Sequence, residues 1–520
     1  MAAPVESITA SISNTIATYP ITTLLLALLT YYFAQSLQSY LHLSHIPGPW
    51  FAPFTDVFLI YKTWRGETFR ELNTLCEKYG PIFRIAPNFV VVGDPAEVKK
   101  VWGVRSTFDR ARWYKGFRLD PPNDTLISMC DGDGGVHAER RGMVLPGYTG
   151  REVAGLHEAV DEGILRFAKL MDEKYISTDT EYRPVDLARK IQFMTLDIAG
   201  RIAFGERLGF LDQDNDKWNY IEQAEASLPV MQVIAMRPWI IGLLQSRFLR
   251  KMVMPSANDP VGLGKVIGIA KAFVAKRFGP DKIEAPDMLG SFIKHGLDKD
   301  TAEAEAVLQV ISSSDTTACT IRTALLHILT SPSLYASLLH EITVAISSGA
   351  VSSPVITSSE ASSLPILQAT LKESLRIWPP IHGIMPRVSR SDAVICGKHV
   401  PAGTNVCWSS YACLRNKEVF GPDAEVFRLG RWFANSDDTK DKERVKKMDE
   451  MWELVFGVGR WSCLGRGIAM VEMGKVVFEI LKRWEFTIVD AERPIHNYFT
   501  GMLVQSGMWV RVEKRDQIRG

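Results

Sequence analysis

The stretch Phe456–Gly467, FGVGRWSCLGRG, places one cysteine on a glycine-rich backbone just before an apolar helical pattern. Glycine lets the main chain turn tightly and approach a flat group closely. We expect the helix to begin near Leu464, so a thiolate at Cys463 would lie at a helix N-terminus, where backbone N–H groups favour negative charge and lower a cysteine pKa. The pattern predicts a metal-binding thiolate, and a buried structural cysteine in a turn is the alternative.

The other cysteines argue against the commoner metal sites. A zinc site takes about four protein ligands, and the sequence has no C-x-x-C pair that could supply them. A porphyrin provides four equatorial ligands of its own, so a single protein thiolate is enough for its iron. The chain has seven cysteines, an odd and scattered set that indicates a reducing compartment rather than a disulfide framework.

Two further pairs of polar residues lie in helical patterns. Glu373 and Arg376 stand on one helix face, where they can form a charge-assisted bond, and a surface ion pair is the alternative. Asp315 and Thr316 fall within a long helical pattern, Ala302–Pro332. A carboxylate can relay protons from water and a hydroxyl can donate them. This pair could therefore transfer protons, unless it is ordinary surface polarity.

Taken in their order along the chain, these motifs resemble those of the cytochrome P450 monooxygenase family. The cysteine loop is similar to the haem-binding signature F-x-x-G-x-[RH]-x-C-x-G, with Phe456, Cys463 and Gly465 in place. Trp461 stands where the family has Arg or His, a residue that contacts a haem propionate, and Arg460 is the candidate replacement. The resemblance covers residues from about 46 to 515 and implies a haem b cofactor with Cys463 as the axial ligand of its iron.

The resemblance also implies roles for residues outside the loop. Asp315 and Thr316 match the motif that delivers protons to oxygen, although Ser312 and Ser313 replace its small residues. A serine hydroxyl can bond to the carbonyl four residues back, and could so open the helix locally as glycine does in the family. The implied structural triad is Glu373, Arg376 and Arg431. The implied haem-propionate ligands are His137, Arg141, Arg387 and Arg460.

Electrons and oxygen are implied to come from outside the chain. The sequence has no G-x-G-x-x-G after a strand and no Walker motif, so NADPH and flavins would act through a separate membrane-bound reductase, with cytochrome b5 as a further donor. A basic face near Arg460, Arg466 and Lys475 is the expected docking surface for that reductase. The co-substrate is O2, and the substrate is a lipophilic small molecule, such as a terpenoid, polyketide or alkaloid of fungal specialised metabolism.

Two other functions stay open at this point. An enzyme of the same fold could rearrange or dehydrate its substrate without net oxygenation, although the presence of Asp315 and Thr316 disfavours this. A membrane haemoprotein without catalytic activity could bind ligands instead. The net charge of +1 gives no reason to expect a nucleic-acid partner, and we expect a monomer.

The sequence patterns around these residues predict a mainly α fold with small β-sheets. The resemblance implies the P450 fold, in a single catalytic domain over residues 46–520. Alternation around 87–88 predicts a hairpin of Ile82–Ile85 with Phe89–Val92. Helices are predicted over Val185–Gly205, Leu364–Ile377 and Ile468–Trp484. Short strands and turns are expected around residues 393–412, and the segments 485–489 and 508–512 are predicted to form a terminal hairpin.

Residues 1–45 are predicted to form an N-terminal segment with one transmembrane anchor at about residues 16–34. Thr15–Leu41 carries no charged residue and exceeds the length of about 20 residues that one span needs. No lysine or arginine precedes Lys62, so the cationic start of a cleaved signal peptide is missing. Positive charges that follow the span favour a catalytic domain on the cytosolic side of the endoplasmic reticulum membrane. Ile46–Trp50, IPGPW, is the expected stiff hinge.

Overall fold

The structure is a computed structural model that describes residues 19–119, 122–130, 134–434 and 438–515. Helices dominate and the strands are short, as the sequence predicts. The α-helices are α1 Pro20–His42, α2 Val57–Trp64, α3 Thr68–Tyr79, α4 Pro95–Trp102, α5 Gly134–Tyr148, α6 Leu156–Lys174, α7 Leu187–Phe204, α8 Phe210–Gln213, α9 Tyr220–Ala235, α10 Pro238–Leu244, α11 Arg250–Val253, α12 Gly262–Ala275, α13 Met288–Lys294, α14 Lys299–Leu329, α15 Pro332–Ser347, α16 Ser358–Ser362, α17 Pro365–Ile377, α18 Ser410–Leu414, α19 Lys417–Phe420, α20 Thr439–Trp452 and α21 Arg466–Arg483. The strands are β1 Ile82–Ala86, β2 Phe89–Val92, β3 Asp109–Arg110, β4 Val185–Asp186, β5 Arg387–Val388, β6 Ala393–Ile395, β7 Lys398–Val400, β8 Asn405–Trp408, β9 Trp484–Ile488, β10 His496–Phe499, β11 Leu503–Ser506 and β12 Trp509–Lys514.

Helix α14 organises the core, because it packs against α7, α12, α17 and α21. Asp298 caps its N-terminus by accepting a hydrogen bond from the Thr301 N–H at 3.0 Å. The helix ends at Leu329, and Pro332 begins the next helix, so the predicted long helix is confirmed with slightly shifted ends. Neighbouring α7 is capped in the same way by Asp186, and its position beside α14 brings polar groups of the two helices together.

A five-stranded sheet with the order β1-β2-β8-β5-β3 holds part of the site. Its first two strands form the predicted hairpin, with Ile82 opposite Val92. At the other end of the sheet, Arg110 of β3 lies directly opposite Arg387 of β5. Like charges that face each other across a strand pair destabilise a sheet. This register therefore points to a binding function for the two arginines.

The C-terminal strands differ in part from the prediction. Strands β9 and β12 are antiparallel partners, with Phe486 opposite Val512, as expected. They do not form a simple hairpin, because the β10–β11 hairpin is inserted between them and β4 pairs with β12 as well. The strand expected around residues 407–412 stops at Trp408, because Ser409 accepts a hydrogen bond from the Ala412 N–H and caps helix α18.

Helix α1 is long and apolar enough to cross a membrane, and none of its residues is buried in the protein. It continues beyond the predicted end at residue 34, while residues 16–18 of the predicted span lie outside the described residues. Its C-terminal part touches the main body, where Arg84 donates to the carbonyl of Ser39 at 2.8 Å. The segment Ile46–Trp50 that follows is non-helical, in agreement with the expected hinge.

Candidate active site

Left-handed glycines shape the loop that carries Cys463. Gly457 and Gly459 both have φ of +66°, a conformation that favours glycine. A Cβ atom on Gly459 would lie 2.9 Å from the Cα of Val104, so this glycine also permits a close backbone contact. Gly465 has φ of −77°, which any residue can adopt, so the structure gives no conformational reason for glycine there. Its role towards the haem stays a prediction.

The sulfur of Cys463 lies at the N-terminus of helix α21, in agreement with the sequence. The Cys463 N–H donates to the Phe456 carbonyl at 2.7 Å, and the N–H groups of Gly465 and Arg466 face the sulfur. The side chain is exposed, yet the surrounding protein raises the pKa of the thiol, because desolvation outweighs these N–H groups and Arg141. The expected lowering of this pKa is therefore wrong for the free thiol. An exposed but desolvated sulfur indicates that Cys463 lies in a recess.

Four arginines converge beside the imidazole of His137, and we call them the arginine cluster: Arg110, Arg141, Arg387 and Arg460. Three of their guanidinium carbons lie over the indole of Trp461, at 4.6 Å for Arg110 and at 5.3 Å for Arg387 and Arg460. The His137 ring centroid is 4.1 Å from that of Trp461. Arg141 donates to the carbonyl and hydroxyl of Ser462, both at 2.9 Å, so the cluster contacts the cysteine loop directly.

The arginine cluster holds more positive than negative charge. In the described ranges, Asp109 is the sole carboxylate ion-paired with it, through Arg460. Buried atoms without a hydrogen-bond partner in this part of the chain include Arg110 Nε, Arg387 Nε and Nη1, and His137 Nδ1. Burial and the neighbouring guanidiniums lower the pKa of Arg110 to about 10 and that of His137 to about 3. Unpaired buried donors and cations are costly, so the arrangement suits an anion with more than one negative charge.

Helix α14 runs without interruption through the predicted proton-delivery pair. Ser312 Oγ donates to the Leu308 carbonyl at 2.7 Å, and Thr316 Oγ1 donates to the Ser312 carbonyl at 3.0 Å. The expected serine-to-carbonyl bond therefore forms, but the expected local opening does not, because the helix keeps its α geometry. The Asp315 carboxylate accepts a hydrogen bond from Gln192 Nε2, and burial raises the Asp315 pKa to about 6.

The three residues of the predicted structural triad meet in one buried network. Glu373 accepts hydrogen bonds from Nε and Nη2 of Arg376, both at 2.8 Å, and from Nε of Arg431 at 2.9 Å. All three side chains have 0% exposed area. Trp432 Nε1 also donates to Glu373, at 2.9 Å. Sequence reasoning missed this tryptophan, because the segment Phe427–Trp432, FRLGRW, resembles the family's P-E-R-F stretch only weakly.

Residues 46–508 match the family model described as Cytochrome P450. This chain belongs to the cytochrome P450 family. The P450 is similar to Cytochrome P450 monooxygenase ABA1 of Pyricularia oryzae, with 35% identity over 500 residues that cover 94% of this chain and 96% of that protein. It is 34% identical to aba1 of Botryotinia fuckeliana over 478 residues, which are 91% of this chain and 92% of the relative. It is 28% identical to gsfF of Penicillium aethiopicum over 491 residues, which are 91% of this chain and 94% of that protein.

These matches confirm the predicted family, fold class and enzyme class. The P450 is an oxidoreductase of the monooxygenase type, and its similarity to fungal monooxygenases extends over nearly the whole chain. Membership also implies a haem iron, an O2 co-substrate, a small-molecule substrate and a redox partner.

The arginine cluster fits a haem. A haem carries two propionates, which are two negative charges at neutral pH, and the cluster offers buried N–H donors that lack partners among the described residues. The neutral imidazole of His137 can donate a hydrogen bond without adding charge. Arg460 is 45% exposed and already paired with Asp109, so it contributes less unpaired charge than the others. Arg110, in contrast, forms no ion pair among the described residues, and its Nε lacks a hydrogen-bond partner. No sequence motif pointed to this arginine.

One cation of the predicted reductase-docking face is placed differently in the structure. The Lys475 side chain is 2% exposed and pairs with Asp161, so it does not face a partner protein. Lys475 lies in the middle of α21, where most side chains are buried. The sequence pattern did not indicate that this lysine is buried with them. Arg460 and Arg466 are 45% and 42% exposed, but each is engaged in an ion pair.

Replacing Arg110 by glutamine is expected to speed haem loss by ~10-fold, within the range typical for residues that support a cofactor ligand. The substitution removes a partly buried cation that stands opposite Arg387 and over Trp461. The rate of haem transfer to an excess of apomyoglobin measures this loss without reference to turnover. Arg112, an exposed arginine two positions along, provides the matched control Arg112→Gln. Equal rates of haem loss in the two variants would contradict the assignment of Arg110.

Proposed function

We propose that this P450 is a membrane-anchored haem-thiolate monooxygenase that hydroxylates or otherwise oxidises a lipophilic small molecule in fungal specialised metabolism. The main support is the placement of Cys463 at a helix N-terminus, beside an arginine cluster with unpartnered donors. The relatives named above are fungal monooxygenases, which supports a substrate from the same chemical range. The candidate substrate classes are terpenoids, polyketides and alkaloids.

The proposed cofactor is haem b, held by this chain's own side chains. When bound, haem supplies an iron centre that activates O2, and a thiolate ligand favours O–O bond cleavage. Cys463 provides that thiolate, and Phe456 and Gly465 shape the loop around it. The residues proposed to bind the propionates are Arg110, His137, Arg141, Arg387 and Arg460.

Asp315 and Thr316 are proposed to supply protons. Monooxygenation inserts one oxygen atom into a C–H bond and reduces the other to water, which consumes two protons and two electrons. With a pKa of about 6, Asp315 can release a proton at neutral pH and regain one from water. Thr316 Oγ1 donates to the Ser312 carbonyl in the structure, so this hydroxyl has to turn away from its own helix before it can donate elsewhere.

The electrons are proposed to come from NADPH through the flavins of a separate reductase, with cytochrome b5 as a further donor. Helix α1 supports a single-pass anchor in the endoplasmic reticulum membrane, with the catalytic domain in the cytosol. In this proposal residues 1–45 form the anchoring segment and residues 46–520 the catalytic domain, of which residues 46–508 match the family. The enzyme is proposed to act as a monomer.

Incorporation of labelled oxygen tests the proposed function. The full chain would be co-expressed with an NADPH-dependent P450 reductase, and the membranes incubated with NADPH, ¹⁸O₂ and a panel of terpenoids, polyketides and alkaloids. We expect the protein to remain in membranes washed at alkaline pH. We also expect at least one compound to gain ¹⁸O in a reaction that requires NADPH.

Two results would contradict the proposal, and each points to a different alternative. A product that carries no ¹⁸O would indicate rearrangement or dehydration on the same fold. Binding of CO by the reduced protein, with no compound that stimulates NADPH consumption, would indicate a haemoprotein without oxygenase activity. Recovery of the full chain in the soluble fraction would separately reject the membrane anchor.

A further inference from the structure

A buried polar network connects Asp315 of α14 to helix α7. The Gln192 side chain donates through Nε2 to the Asp315 carboxylate. Its Oε1 accepts hydrogen bonds from Arg322 Nη2 at 2.9 Å and from Arg189 Nη1 at 3.0 Å. Because both arginines can only donate, they determine which end of the amide is the carbonyl. The NH2 group of Gln192 is therefore left for Asp315.

The two arginines differ in how firmly they are held. Arg322 is buried, and its remaining N–H groups donate to the carbonyls of Ala188 and Gln505 at 2.9 and 3.0 Å. This guanidinium is held on several sides and gives the network a fixed end. Arg189 is 25% exposed and binds Glu225 of helix α9 through two N–O contacts of 3.0 and 3.3 Å. The second end of the network therefore depends on another helix.

Helix α9 makes contacts with several elements besides α7. It packs against the 3-10 helix Arg112–Phe117, where a Cβ on Gly116 would lie 2.6 Å from the Cβ of Ala235. Its other contacts include helix α2 and the short helix α10. Gln232 of α9 lies against Gly501, in the loop between β10 and β11. A displacement of α9 would carry Glu225 with it and change the hold of Arg189 on Gln192.

We propose that Gln192 is a positioning residue that holds the Asp315 carboxylate against helix α7, and that the Arg189–Glu225 ion pair links this hold to the position of helix α9. The link rests on the proposed monooxygenase function, and it makes proton delivery depend on the position of α9. With α9 in the position that the structure shows, the carboxylate accepts its hydrogen bond from Gln192. Movement of α9 loosens Arg189, so that Arg322 alone holds the Gln192 carbonyl and the carboxylate is held less firmly.

The charges around Asp315 give this arrangement a measurable consequence. The groups that face it are Arg322 and Cys319 on its own helix, Gln192 and Arg189 on α7, and Glu225 and Tyr220 on α9. Burial and Glu225 raise the Asp315 pKa, whereas Arg322, the Gln192 amide and Arg189 lower it. Loss of the Gln192 donor or of the Arg189 charge should therefore raise the pH at which Asp315 loses its proton.

Difference infrared spectroscopy of the purified full-length holoprotein, without substrate, tests the proposal. The C=O stretching band of protonated Asp315 is assigned by its loss in Asp315→Asn and then followed against pH. We expect a midpoint near about 6 in the unmodified protein. In Gln192→Met, which keeps the side-chain volume, we expect the midpoint to rise by ~1 pH unit, as is usual for loss of a donor to a carboxylate. A smaller rise is expected in Arg189→Gln.

Arg201→Gln is the matched control. Arg201 of helix α7 also pairs with a glutamate of another helix, Glu162 of α6, but this pair has no contact with Gln192 among the described residues. Its midpoint should equal that of the unmodified protein. Unchanged midpoints in both Gln192→Met and Arg189→Gln would overturn the proposal, as would the absence of any titrating band that disappears in Asp315→Asn. If Gln192→Met fails to fold, the midpoint of Arg189→Gln still tests the proposal, because Arg189 is partly exposed.

A second readout follows the fate of electrons. With reductase and NADPH, Glu225→Gln should raise the share of electrons that leave as hydrogen peroxide several-fold, because proton delivery is mistimed, while Arg201→Gln should not. Equal peroxide shares in these two variants would reject the link to α9. The infrared result requires no turnover, so it stands independently if the protein proves not to be an oxygenase.

Discussion

Replacing Cys463 by serine is expected to remove the thiolate spectrum of the haem and to abolish NADPH-driven oxygenation. A serine hydroxyl stays protonated at neutral pH and is a poor iron ligand, so the electron donation that favours O–O cleavage is lost. Residues that only support a metal ligand already change affinity or activity by ~10–100-fold when replaced, so loss of the ligand itself should exceed this. The difference spectrum of the reduced protein with CO and the rate of product formation measure the two effects.

Cys396 provides the control for this substitution. Its half-buried thiol donates to the Pro81 carbonyl at 3.8 Å, a weak contact outside the cysteine loop whose loss should matter little. The Cys396→Ser protein should therefore keep both its spectrum and its turnover. An unchanged spectrum and undiminished turnover in Cys463→Ser would remove the basis of the proposed function. A normal spectrum with lost turnover would instead place Cys463 near the reaction without making it the ligand.

Much of the secondary structure could be predicted because local signals agree with the fold. The β1–β2 hairpin follows from alternation on both sides of a Pro-Asn turn, and helix α14 has an Asp cap at one end and a proline after the other. The same logic failed at Ser409, where a single side chain that caps a helix outweighs the strand pattern before it. Short segments with mixed signals are decided by one hydrogen bond, which sequence patterns do not reveal.

The site could be predicted in part, and the missing part has a physical reason. Cys463 and the pair Glu373 and Arg376 stand in local motifs, so spacing was enough to find them. Arg110 is brought beside Arg387 by strand pairing, and Gln192 reaches Asp315 from a different helix. Neither has a fixed sequence distance to its partner. Contacts of this kind depend on tertiary structure, and no local pattern indicates them.

Replacing Glu373 by glutamine is expected to destabilise the protein by about 3–5 kcal/mol, the cost typical for removing one partner of a buried ion network. The carboxylate accepts hydrogen bonds from Arg376, Arg431 and Trp432. Glutamine keeps the volume but leaves the buried Arg376 guanidinium without a counter-charge and Arg431 with Asp423 alone, at 3.4 Å, and its NH2 group faces their N–H donors. The urea midpoint of unfolding measures the loss, and the haem content of the purified protein should fall with it.

The exposed pair of Lys169 and Glu173 on helix α6 shows why the buried location decides the size of this effect. These side chains are 73% and 61% exposed, and their charges are 3.8 Å apart. Lys169→Gln should leave the urea midpoint unchanged within error, because water already screens this pair and solvates each charge alone. If Glu373→Gln shifts the midpoint no more than Lys169→Gln does, the two guanidiniums have found other counter-charges. The network would then contribute to local geometry and not to the free energy of unfolding.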